Sequence, residues 1–165
     1  MAVRRGGKRV KEFPARKPNR LKGYDYSQDG AYFVTVCAKD RQEMFSRIVV
    51  GDGLVRPELT DVGKEIVGMI DYINVRRTKC KIVQFVIMPN HVHFIIRIVG
   101  RASPSPTIGT IVGGLKSGVS RVVGFSPWQR FFHDHIIRND NEYNRISDYI
   151  QNNPALWHED CFYPK

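Results

Sequence analysis

Cysteine is scarce in this chain of 165 residues. Cys37, Cys80 and Cys161 are scattered, odd in number and form no C-x-x-C or other metal spacing. That excludes a disulfide framework and reads as reduced thiols in a cytoplasmic protein. No apolar run approaches the roughly 20 residues of a membrane span, and the N-terminus lacks a signal-peptide core, so no membrane partner is expected. No G-x-x-x-x-G-K-S/T phosphate loop occurs, and no nucleotide cofactor is expected. Acid is almost missing from the first 22 positions. Glu12 stands alone there against Arg4, Arg5, Lys8, Arg9, Lys11, Arg16, Lys17, Arg20 and Lys22.

Nine bases against one acid give this arm +8 of the net +10, leaving +2 for the body. Two readings fit: a solubilising segment, or a flexible arm for a polyphosphate partner, where each neutralised phosphate releases counterions. The charge favours nucleic acid as the partner. Residues 1–22 are therefore read as a basic nucleic-acid-contacting arm and 23–165 as one domain, since the length suits a single core and the hydrophobic fraction is 42%.

Along the body, Ala31 to Lys39 alternates and is rich in β-formers, so it reads as a strand. Gly-Asp-Gly between β-branched runs marks a hairpin from Ser46 to Leu59. Thr60 or Asp61 can cap a helix to about Arg76, with Val62, Ile66, Met69, Ile70 and Ile73 on one stripe. Lys81–Ile87 and His91–Val99 read as strands joined by a tight turn at Met88-Pro89-Asn90. Thr107–Val123 has helical spacing, but Gly109, Gly113, Gly114 and Gly118 make it a poor isolated helix. Arg130–Arg138 reads as a strand. Asn139 and Glu142 resemble a capping box for a last helix to about Asn153, which Pro154 stops. The order implies an α+β sandwich with a largely antiparallel sheet.

Within "FVIMPNHVHFIIRI", His91 and His93 project from one strand face and Val92 from the other. Two imidazoles so placed can share a metal ion, or can be two half-buried histidines satisfied by hydrogen bonds. Neutral imidazole is the ligand form, so metal affinity is expected to fall below pH ~6.5. A second copy, His133-Asp134-His135, has a charged middle residue that suits a solvent-facing edge. Two imidazoles under-coordinate a metal, and the last helix offers a third ligand in Asn153, one turn from Tyr149. Their bland alternative is a core-rim tyrosine and a C-capping asparagine. Trp128, Phe131 and Phe132 suit either base stacking or core packing.

"MPNHVHFII" resembles the HUH (His-hydrophobic-His) motif of single-tyrosine transposases. "YDYSQDGAYFVTVCAKDRQEMF" and "PWQRFFHDHIIRNDNEYNRISDYIQNNP" look like the REP-associated tyrosine transposase group, and the resemblance runs from about Leu21 to Trp157. It implies a ferredoxin-like or RRM-like two-layer fold with a mainly antiparallel sheet backed by helices. It implies metal-dependent nicking and strand transfer of single-stranded, hairpin-forming DNA through a 5′-phosphotyrosine, with residues 1–22 as the DNA-contacting arm. Tyr149 falls on the family's nucleophile. Asn153 falls where insertion-sequence members carry a glutamine ligand, beside His91 and His93. The implied cofactor is Mg²⁺ or Mn²⁺, with the protein at the bacterial nucleoid as monomer or homodimer. Two other readings stay open: a catalytically silent hairpin-binding protein on the same fold, and an unrelated hydrolase using His91 and His93.

Overall fold

The computed structural model describes residues 23, 25, 28–100 and 106–165. The basic arm of residues 1–22 lies outside them. The elements follow the expected order: β1 (Gly30–Cys37), β2 (Ser46–Gly51), β3 (Leu54–Leu59), α1 (Asp61–Arg76), β4 (Cys80–Ile87), β5 (His91–Ile98), α2 (Ile108–Val123), β6 (His133–Ile137) and α3 (Asp140–Asn152). Four strands form one antiparallel sheet in the order β4-β5-β1-β6, and the hairpin β2–β3 stands as a separate two-stranded sheet. The fold is the mixed α/β architecture expected, a mainly antiparallel sheet backed by three helices.

Alternation along the central strands divides the core in two. Val92, Phe94, Ile96 and Ile98 of β5, with Tyr32, Val34 and Val36 of β1, pack against Ile66 and Ile70 of α1 and Ile111 and Leu115 of α2. The odd-numbered side chains face the opposite way. There Ile95 and Val86 meet Ile146 and Ile150 of α3 and Trp157 beyond it. Each fully buried isoleucine contributes roughly 1.5–3 kcal/mol relative to exposure, so α3 is held to this face by few but sufficient contacts.

The helix starts follow the sequence. Thr60 Oγ1 accepts from Gly63 N–H, Thr107 Oγ1 from Thr110 N–H, and Asn139 Oδ1 from Glu142 N–H. Glu142 reaches back to the Arg138 N–H. Strand β6 begins three residues later than the apolar pattern suggested. The Lys116 ammonium donates to the Gln129 and Arg130 carbonyls, and the Trp128 indole donates to the Lys116 carbonyl. Trp128 pairs with Ala38 only in an isolated bridge, and Lys116 holds the next two carbonyls towards α2, so the regular ladder starts later.

Two glycines mark close approaches. A Cβ on Gly118 would meet the Met69 side chain, where α2 crosses α1, so the weak helix former serves packing. A Cβ on Gly63 would collide with the Phe45 carbonyl oxygen, which also accepts from Thr60 N–H. Gly63→Ala should therefore destabilise by about 1–3 kcal/mol despite its better helix propensity. Urea unfolding measures this, and an unchanged midpoint would mean α1 shifts freely at its start.

Candidate active site

Strand β5 is flanked on both sides, and its residues His91 and His93 are 0% and 2% exposed. They face α3 and stand opposite Cys37 and Thr35 of β1. The two rings are 4.4 Å apart between centroids. α3 reaches this face at its C-terminal end, bringing Tyr149 and Asn153, and the chain then turns through Trp157–Glu159 to place Asp160 beside them.

The hydrogen bonds fix which atoms face the centre. Asn90 Nδ2 donates to the Phe162 carbonyl at 2.8 Å, so Asn90 Oδ1 is the acceptor for His91 Nδ1–H at 2.9 Å. A neutral His91 then presents a bare lone pair at Nε2. His93 Nδ1 lies 2.8 Å from Thr35 Oγ1. Asn153 Nδ2 donates to Asp160 Oδ2 at 2.8 Å, leaving Asn153 Oδ1 as acceptor. His91 Nε2 and Asn153 Oδ1 are both buried without a hydrogen-bond partner. An orphaned buried acceptor costs about 1–3 kcal/mol, so two at one place make a setting that a cation would satisfy.

Two imidazoles, a carboxylate and an amide oxygen suit a divalent metal. Ligand atoms of His91, His93 and Asp160 lie within 4.8 Å of one another. The closest approach of His91 Nε2 to Asp160 Oδ2 is 3.9 Å. The residues present fit the implied ion, with outer partners Asn90 and Thr35 orienting the imidazoles as such ligands require.

Tyr149 is 40% exposed, at the edge of the buried histidine pair. Its hydroxyl lies 3.3 Å from His93 Nε2 and 3.4 Å from Asp160 Oδ2. Burial, then the Asp160 charge, pushes its pKa up to about 12. Without a cation it stays a phenol.

Burial also pushes His91 down to about 4, and His93 well below the usual imidazole value. Both rings are therefore neutral in mild acid, and proton competition with a metal sets in well below the pH ~6.5 expected of free imidazole. The same shift sets folding stability. Between pH ~6.5 and ~4 the unfolded chain binds more protons than the folded one, so stability present above ~6.5 is lost as pH falls. For His91 alone the loss approaches roughly 3 kcal/mol. Urea midpoints of metal-free protein at pH 7.5 and 4.5 test this, and equal midpoints would contradict it.

The other expected residues disperse. His135 Nε2 pairs with Glu142 Oε1 at 2.7 Å, and the His133–His135 copy forms no three-ligand cluster among the described residues. Trp128 is buried in the main core, Phe132 packs partly against it, and Phe131 is 60% exposed. Asp160, Thr35 and Asn90 were not singled out from the sequence. Thr35 had a signal, as a polar residue on the histidine face of an apolar strand. Asp160 had none, because it lies in irregular chain without periodicity.

The model of the IS200-like transposase family matches residues 26–153. An uncharacterised protein of Haemophilus influenzae (strain ATCC 51907 / DSM 11121 / KW20 / Rd) is 36% identical over 171 aligned residues, covering 90% of this chain and 93% of its own. A REP-associated tyrosine transposase, solved bound to a REP hairpin, shares the fold with a TM-score of 0.64 at 22% identity. That match covers 84% of this chain and 74% of the other. With more than half its length matched, the chain belongs to the IS200-like transposase family.

Proposed function

We propose that this transposase nicks and rejoins single-stranded, hairpin-forming DNA through Tyr149, using Mg²⁺ or Mn²⁺ held by His91, His93 and Asn153. The observation that carries the reading is the pair of bare buried acceptors, His91 Nε2 and Asn153 Oδ1, beside the Tyr149 hydroxyl. A cation held by these residues would polarise the phosphodiester and neutralise charge developing on it. Asp160 adds the negative charge that two imidazoles and an amide lack. Its Oδ2, 3.4 Å from the hydroxyl, is placed to take the phenolic proton. The Tyr149 oxygen then bonds to phosphorus, the P–O3′ bond breaks, and the leaving oxygen takes up a proton as a free 3′-OH. The bond energy stays in the 5′-phosphotyrosine, so a 3′-OH can reverse the step without ATP.

Incubation with Mn²⁺ and hairpin oligonucleotides tests this directly. A denaturation-resistant protein–DNA adduct is the expected product. Tight hairpin binding with no adduct under any divalent ion would sink the nuclease reading and leave a silent binding protein.

The arm of residues 1–22 is assigned affinity and little sequence choice, because phosphate contacts position without reading bases. Deleting it should weaken binding to all hairpins alike and flatten the salt dependence. A deletion that erased discrimination between two hairpins while sparing affinity would contradict that role.

A further inference from the structure

We infer that Arg41 anchors a DNA phosphate adjacent to the one attacked, in a subsite that shares a wall with the metal cluster; this rests on the functional reading above. The first observation is backbone strain. Asp40 and Arg41 are consecutive non-glycine residues with φ of 54° and 55°. L-residues avoid the left-handed region, and such strain persists where surrounding structure imposes it, commonly at ligand sites.

The imposing contacts come from two directions. Ala38 N–H donates to the Asn90 carbonyl, in the turn before β5, and Lys39 N–H donates to the Pro127 carbonyl, in the segment before β6. Gln129 N–H donates back to the Cys37 carbonyl. The strained turn is thus fastened to the residue whose side chain orients His91.

The second observation is the guanidinium itself. It lies 5.5 Å over the Phe162 ring, and that ring is 4.5 Å from the His91 ring. Among the described residues Arg41 makes no ion pair with a carboxylate. A cavity of about 480 Å³ opens there, lined by Arg41, Asn90 and Phe162, with Lys165 as a second cation and Asp40 as one acid on its wall. Asn90 is the shared wall, since it also holds His91 Nδ1. A guanidinium fork suits a phosphate, to which it donates two parallel hydrogen bonds at once.

The test uses Tyr149→Phe as background, so that binding is read without cleavage. Hairpin oligonucleotides carry one neutral methylphosphonate at each linkage in turn. At one linkage the neutral group should weaken binding about tenfold when Arg41 is present and not at all in Arg41→Ala. Arg41→Lys should restore only part of the difference. Equal losses at every linkage with and without Arg41 would overturn the assignment.

A second measurement separates anchoring from support. With Tyr149 intact, Arg41→Gly removes the side chain and relieves the positive φ. Its thermal midpoint should be no lower than wild type while adduct formation slows about 10- to 100-fold. A lowered midpoint with an unchanged adduct rate would make Arg41 a structural residue only. If wild type forms no adduct but the methylphosphonate difference appears, the nuclease reading fails and the phosphate site stands.

Discussion

Tyr149→Phe is expected to abolish the covalent protein–DNA adduct, a loss of roughly 10³-fold or more in cleavage, while hairpin and Mn²⁺ affinities stay near wild type. The substitution removes one oxygen and little packing. The ring edge keeps its contact with Phe33 at 6.1 Å and with His93 at 5.3 Å. What disappears is the only phenol among the described tyrosines with a hydrogen-bond distance to the histidine–aspartate cluster. Tyr32 is fully buried and donates to the Gln28 carbonyl, and Tyr143 lies under Arg97 towards the other end of the sheet. Tyr72 sits on α1 with Arg76, and Tyr163 packs on Trp157. With a pKa near 12, the Tyr149 phenol is a poor nucleophile until a cation offsets Asp160, so its reactivity depends on position. Should the phenylalanine variant still form the adduct, the assignment fails, and Tyr163, beside the Asn90 cavity, becomes the first residue to examine.

The second large effect is on the metal. His91→Ala should lower Mn²⁺ affinity by roughly 10²-fold or more, since even the partners that merely orient ligands cost 10- to 100-fold when lost. The ring removed is the one whose Nδ1 is fixed by Asn90 and whose Nε2 is bare. Asn153→Ala should cost less, because an amide oxygen is a weaker ligand and Asp160 remains. Calorimetric titration of both variants reads the order. Equal binding by wild type and His91→Ala would move the site elsewhere, with His133 and His135 the next suspects.

How much of this was legible in the sequence depends on periodicity. The alternation of β5 placed both histidines on one face, and the helical spacing of α3 placed Tyr149 and Asn153 a turn apart; the geometry brings all four together. The caps at Thr60 and Asn139 were readable because their chemistry is local. The late start of β6 was not, because it follows from Lys116 and Trp128 tying that backbone to α2 across a turn. Asp160 was invisible for a similar reason. Its position comes from a short 3₁₀ turn and from hydrogen bonds to Asn153 and the Phe162 backbone, and neither leaves a repeating pattern.

The division of the site between a central strand and α3 with the turn beyond it has a consequence for how it opens. His91 and His93 belong to a strand laddered on both sides, the kind of segment whose amides exchange with solvent only on global unfolding. Tyr149, Asn153 and Asp160 belong to the last helix and the turn beyond it, fastened to one face by a small apolar cluster. Such a segment can detach at a fraction of the global free energy. The two halves therefore differ in expected local opening energy: the imidazoles sit in the more protected half, while Tyr149, Asn153 and Asp160 sit in the half that opens more easily. A cation bridging them would convert part of its binding free energy into closure of that segment, so occupancy of the site and order of α3 with its following turn would rise together.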